Sequence, residues 1–470
     1  MNGSSDAQGH PLEFLTWLEQ HAGREHELHR AHLNPAFERM IRVTGFDKNY
    51  VRGEGCYLWD GEGNRYLDLL SGWGVFAVGR NHPRVKAALR AVLSRDFPNI
   101  VRMNCGLLSG LAAETLARHA GGELSRVFFC NSGTETIEAA IKFARCATGR
   151  PGVVYCDHAF HGLTMGALSI NGADYFRERF GPTLGDTRVA AFNDLGDLER
   201  SLSGRSAAAF VIEPVQGKTC RVVQDGYLAE ASRLCRKYGT LLVADEVQCG
   251  LGRTGRWFCY QHWAGVEPDM VCISKALSGG FMPVGAVIAR PHILESVFDS
   301  MERCVVHSNT FGENDLAMAA ALATLQTIEA EGLVENAARV GAYAVEALRP
   351  IAASCPFVSD VRGKGLMFGV AFRRPEASLK LRLAWDALHR MNSNLFGQLI
   401  VLPLMQKHRI LSQAAGHNTP VVKFLPPLIA TAQDMDWLLA ALRDVLDDTQ
   451  RVPGAAWETV AGLTRRSIGV

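Results

Sequence analysis

The sequence predicts an α/β protein built on a mostly parallel sheet, and three observations carry that expectation. Short, fully apolar runs recur at 127–130, 153–156, 208–212, 241–244, Met270–Ile273 and 286–289. Helical segments separate them, one at 134–146 with Ile137, Ile141 and Ala144 on one face, another at Tyr227–Tyr238 ending at Gly239. Polar residues with chemical capacity follow directly on several of the runs. Strands without polar alternation, spaced by helices, are buried on both faces, as parallel sheets require.

Ahead of this core, residues 1–45 are polar and helical in character, and 57–70 alternates apolar residues around a Gly/Asn turn, as a β-hairpin does. Near residue 330 the pattern changes to long helices with a few strands, such as 365–372, which reads as a second, smaller domain. The tail after Asp448 is mixed, with helical character from about Ala455.

Composition narrows the classes. The chain has 470 residues, 47% of them hydrophobic and 21% charged, as a globular protein does. Lys plus Arg number 49 against 48 for Asp plus Glu, so charge gives no reason to expect nucleic acid or an anionic membrane as partner. No apolar run reaches the roughly 18 residues of a membrane span. The N-terminus lacks a basic segment followed by an apolar one, so no signal peptide is expected. The 12 cysteines include no C-x-x-C pair, and Cys130, Cys156, Cys249 and Cys272 sit within or beside apolar segments. They read as reduced thiols in a cytoplasmic protein. His26, His29 and His32 lie among Glu25, Glu27 and Arg30, the pattern of a solvated helix, and no metal site is expected.

The residues after the strands carry the chemistry. Asn131-Ser132-Gly133-Thr134-Glu135 opens a helix, where free N–H groups and hydroxyls can hold a phosphate, or where Ser132 can serve as a plain cap. Asp157-His-Ala-Phe160-His161-Gly162 follows another strand, where Phe160 can stack on a flat ligand or join the core. Asp245 ends its strand, with Val247 and Gln248 close behind. Lys275 follows Met270–Ile273 and precedes a Ser-Gly-Gly turn. A strand-end carboxylate and a desolvated lysine suit pyridoxal phosphate (PLP): the first can keep a pyridine nitrogen protonated, the second can bond the cofactor aldehyde. His307-Ser-Asn-Thr310-Phe-Gly312 offers a further Thr/Gly turn.

Taken in order, Ser-Gly-Thr-Glu, Phe-His-Gly, Ile-Glu-Pro, Asp-Glu-Val-Gln, Gly-Arg-Thr-Gly, Ser-Lys and Ser-Asn-Thr-Phe-Gly resemble the class III (ornithine, acetylornithine and 4-aminobutyrate type) PLP-dependent aminotransferases over roughly 50–428. The resemblance implies fold type I: a large domain with a mainly parallel seven-stranded sheet, here 71–330, and a smaller α+β domain drawn from 1–70 and 331–470. It also implies a homodimer with shared active sites. Lys275 would be the catalytic lysine and Asp245 the partner of the ring nitrogen. Ser132, Gly133 and Thr134 would hold the phosphate, joined by Thr310 of a second subunit. Phe160 and Val247 would face the two sides of the ring, with His161, Gln248 and Glu213 nearby, the last a position that often pairs with an arginine.

Three positions depart from the family pattern. Lys423 in Val421-Val-Lys-Phe-Leu-Pro-Pro427 stands where many relatives carry an arginine for a substrate carboxylate. Phe281 replaces a common glycine, and Arg80 a common histidine. A lysine lacks the planar two-pronged contact of arginine. With Trp73, Phe76 and Phe281 as a possible apolar entry, the expected activity is ping-pong transamination between a diamine or a long or apolar-chain amine or aldehyde and a common amino-acid or oxo-acid partner. An ω-amino-acid transaminase using 2-oxoglutarate, an aminomutase and a decarboxylase stay open as alternatives on the same scaffold. Within 376–416, whose role stays open, the stretch 406–416 ahead of Lys423 can supply pocket residues.

Overall fold

A computed structural model describes residues 11–101, 103–376, 378–391, 395–416, 419–452, 454 and 457. The described residues divide into two compact units, one of 11–49 and the other within 50–457. In the first, helices span Pro11–Gln20, Glu25–His32 and Pro35–Thr44. The third starts where Asn34 Oδ1 accepts the N–H groups of Ala36 and Phe37 with Pro35 next to it, and stops at Gly45 in the left-handed conformation (φ 73°). Its Glu38 is buried and takes a hydrogen bond from His26 at 3.2 Å. The helical character expected after Ala455 falls outside the described residues.

The core of the second unit is a seven-stranded sheet. Its strands are β1 (Arg126–Cys130), β2 (Gly152–Cys156), β3 (Thr187–Ala190), β4 (Ala207–Ile212), β5 (Leu241–Asp245), β6 (Met270–Ile273) and β7 (Gly285–Ala289). They lie in the order β1-β7-β6-β5-β4-β2-β3. β7 runs antiparallel to both its neighbours, and the pairs within β6-β5-β4-β2-β3 are parallel. β2, β4, β6 and β7 are buried along their whole length, which explains their unbroken apolar sequences. The six expected strands are present. β3 is the addition: it is an edge strand whose Arg188 and Val189 are exposed, so it has no apolar run to announce it.

Two smaller sheets flank this core in sequence. The expected hairpin forms from Tyr57–Asp60 and Arg65–Asp68, with Asp60 accepting the N–H groups of Glu62 and Asn64 across the turn. Ile410–Leu411 joins it in parallel, so the C-terminal part of the chain closes onto the N-terminal hairpin. The other sheet orders Val358–Lys364, Met367–Phe372, Val421–Phe424 and Gln413–Ala414. Its register sets Gln413 directly opposite Lys423. Arg253, fully buried, donates to the carbonyls of Leu366 and Pro426 and so ties the loop after β5 to this sheet. Among the described residues no helix is long and apolar enough to cross a membrane.

Candidate active site

Parallel strands end on one side of a sheet, and the residues that follow them meet there. The helix Gly133–Thr148 starts after β1, the 157–162 loop follows β2, Glu213 follows β4, Asp245 ends β5, and Ser274-Lys275 follows β6. They surround a cavity of about 590 Å³. Ser132 Oγ accepts the Glu135 N–H, and the Glu135 carboxylate reaches back to the N–H of Asn131 at 2.7 Å. The N–H groups of Gly133 and Thr134 have no protein acceptor among the described residues, and they sit at the positive end of a 16-residue helix.

Asp245 is buried and accepts two hydrogen bonds, from His161 Nδ1 at 2.6 Å and from the Val247 N–H at 3.0 Å. Burial by itself would lower the His161 pKa, but the bond and charge of Asp245, with Glu213 behind it, raise it overall. His161 Nε2 is buried without a partner. Glu213 accepts the N–H groups of Phe160 at 3.0 Å and Gly217 at 2.8 Å rather than an arginine, and burial pushes its pKa up.

Lys275 has φ of +34°, in a region that side chains with a Cβ avoid, and a single turn of 3₁₀ helix follows at once. Its amine loses its proton more readily than usual, because desolvation outweighs the attraction of Asp245 and Glu213. Val247 lies on the other wall, its side chain over Gly133, where an added Cβ would meet Cγ1 at 2.7 Å.

Of the residues expected from sequence, the cavity brings together Gly133, Thr134, Phe160, His161, Glu213, Asp245, Val247, Gln248, Lys275, Trp73 and Lys423. Lys423 is buried and donates to the Gly217 carbonyl at 2.6 Å and Gln248 Oε1 at 3.3 Å; burial brings its pKa down to about 8. Gln248 in turn donates from Nε2 to the Trp73 carbonyl at 3.0 Å. Ser132 caps the helix outside the cavity lining. Thr310 is exposed and away from it. Phe281 and Phe76 line a separate cavity of about 390 Å³ with Tyr50 and Arg80, so they do not share a wall with Trp73. Six more residues line the Lys275 cavity: Gly162, which closes the 157–162 motif, Gln413, from the 406–416 segment read as a source of pocket residues without a role, and Leu163, Phe176, Gly217 and Lys218, to which the sequence drew no attention. Gln413 is placed by its register with Lys423, and its buried Oε1 has no partner.

The donor set fits PLP. It supplies a deprotonation-prone lysine, a buried carboxylate that accepts two hydrogen bonds, an apolar wall at Val247, and free N–H groups at a helix start for a phosphate. The glycine at 133 leaves space that a Cβ would fill.

The fold and this site together define a PLP-dependent transferase of fold type I. Comparison with known proteins makes it specific: the model of the class III aminotransferases matches residues 42–446, and the chain belongs to that family. It is 36% identical over 432 residues to a putrescine aminotransferase of Pectobacterium atrosepticum, covering 89% of this chain and 87% of that one. It is 34% identical over 480 residues to aminotransferase PigE of a Serratia species, and the match spans 94% of this chain but only 56% of the relative. Among solved structures, an ornithine aminotransferase of Toxoplasma gondii superposes with a TM-score of 0.76 at 28% identity, covering 91% of this chain and 99% of that one. The chain is an aminotransferase, and PLP is its cofactor.

Proposed function

We propose that the enzyme transfers an amino group between a diamine, or another amine or aldehyde with a long or apolar chain, and an amino-acid or oxo-acid partner. The observation that carries this is the state of Lys423. It stands where relatives place a guanidinium, and its ammonium is already committed to Gly217 and Gln248, which leaves no two-pronged clamp for an α-carboxylate. The rest of the wall, with Trp73, Phe160, Leu163, Phe176 and Val247, suits a hydrocarbon chain. The putrescine aminotransferase relative supports a diamine.

When bound, PLP supplies the electron sink for the carbanion beside the substrate nitrogen. Lys275 then acts as base and acid at the reacting carbon, and desolvation prepares its amine for that task. Asp245, oriented by its hydrogen bond with His161, would hold the ring nitrogen protonated. Gly133 and Thr134 would hold the phosphate, and Phe160 and Val247 would face the two sides of the ring. Thr310, exposed in its own chain, completes the phosphate site of a second copy in a homodimer. The 12 described cysteines, free of disulfides, support a cytoplasmic enzyme.

A screen of alkyl amines, diamines and ω-amino acids against pyruvate and 2-oxoglutarate tests the reading. Turnover with alkyl amines or diamines is expected. Activity confined to short α-amino acids in both half-reactions would overturn it.

A further inference from the structure

Lys218 lines the cavity next to Gly217, and its surroundings differ from those of the other two lysines there. Its Nζ lies 4.8 Å from the ring centres of both Phe160 and Phe176, which meet edge to face at 5.4 Å. It makes no hydrogen bond or salt bridge among the described residues. The nearby acceptors are already engaged: Asp245 by His161 and Val247, Glu213 by Phe160 and Gly217, and the Gly217 carbonyl by Lys423. A half-buried ammonium over two ring faces, near the charge of Glu213 but without a hydrogen-bond partner among the described residues, keeps its N–H donors unspent.

Its neighbours are less available: Lys423 gives two of its three N–H donors to protein oxygens, and Lys275 is the reacting amine. A carboxylate entering this cavity therefore finds its open cationic contact at Lys218.

We propose that Lys218 is a specificity-determining residue whose ammonium, over the Phe160 and Phe176 rings, binds the carboxylate of the amino-acid or oxo-acid partner. This rests on the reading that one half-reaction uses such a partner. A single ammonium accepts carboxylates in several orientations, whereas an arginine fork fixes one, so the same cavity can also admit a substrate without a carboxylate. Recognition of the oxo acid and tolerance of the alkyl chain then come from the same wall.

The test uses the PLP-loaded enzyme as wild type, Lys218→Met and Lys218→Arg. Each half-reaction is followed separately by cofactor absorbance, one with 2-oxoglutarate or pyruvate and one with an alkyl amine. Binding of glutarate, which cannot react, is measured by calorimetry. Lys218→Met should weaken the oxo acid relative to the alkyl amine by about 10- to 100-fold, the size of one charge-assisted hydrogen bond. Glutarate should weaken by a similar factor, and Lys218→Arg should recover much of both losses. A parallel fall in the two half-reactions with glutarate binding intact overturns the proposal, since Lys218 would then only support the rings. If the wild type itself reacts with no oxo acid, the functional reading fails first, and the proposal with it. Should Lys218→Met not fold, Lys218→Gln carries the same comparison.

Discussion

The Val247 side chain sits so closely over Gly133 that a Cβ at residue 133 would lie 2.7 Å from its Cγ1 and 3.1 Å from its Cγ2. One residue belongs to the proposed phosphate site and the other to the proposed ring wall, so the contact couples them. Gly133→Ala must push Val247 into the cavity or shift the helix start. Overpacking of this kind costs about 1–3 kcal/mol. PLP affinity, measured by equilibrium dialysis, should fall by about 5- to 150-fold on that scale. An affinity equal to wild type would show that the two walls move independently.

Lys275 stores strain that its chemistry can use. Its positive φ and its desolvated amine both cost stability in the cofactor-free protein. Lys275→Gly removes both costs at once. The variant should lose transamination, yet its cofactor-free form should be more stable than the cofactor-free wild type by about 1 kcal/mol. Urea unfolding of the two apo forms decides the matter, and a destabilised variant would mean that Lys275 makes contacts worth more than its strain.

How far the sequence revealed all this depended on where each residue lies relative to a strand. Asp245 and Lys275 directly follow buried apolar runs, so position and chemistry could be read together. β3 escaped because an edge strand with exposed Arg188 and Val189 needs no apolar run. Lys218 escaped for a different reason. It lies in the loop after β4, and its meaning comes from Phe160 and Phe176, which only the folded chain brings beside it. Gln413 belongs to a two-residue strand whose register with Lys423 no local pattern encodes. Trp73 and Phe281 show the converse. Similar aromatic character suggested a shared entry, but backbone turns direct them to different cavities.

Lys423 gives stability an acid-side dependence. Burial lowers its pKa from 10.5 to about 8, so the folded state binds its proton less tightly than the unfolded chain does. Its contribution is therefore fully present above pH 10.5 and is lost as pH falls through 8. Lys423→Met removes that loss but leaves the Gly217 carbonyl without its donor. Relative to wild type, the variant should gain stability as pH is lowered from 10.5 to 8, read from urea midpoints. A constant offset between the two proteins across this range would show that Lys423 carries no such linkage.

Glu246, next to the proposed cofactor carboxylate, has the opposite sign. It is buried, and it accepts the N–H groups of Cys259 at 2.5 Å and Tyr260 at 2.7 Å. Those donors favour the charged form, but desolvation dominates and raises the pKa from 4.5 to about 8. The folded state thus holds this proton more tightly than the unfolded chain. The stability it confers is present below pH 4.5 and is lost as pH rises through 8. Glu246→Gln cannot ionise, and its amide can still accept one of the two N–H groups through its oxygen. The variant should be less stable than wild type at pH 5, with the gap closing as pH approaches 8, because wild type alone pays for ionising a buried carboxyl. The other titrating groups are common to both proteins and cancel in the difference. Chemical unfolding at pH 5, 6, 7 and 8 measures it, and parallel curves would mean that the two backbone donors keep Glu246 charged throughout.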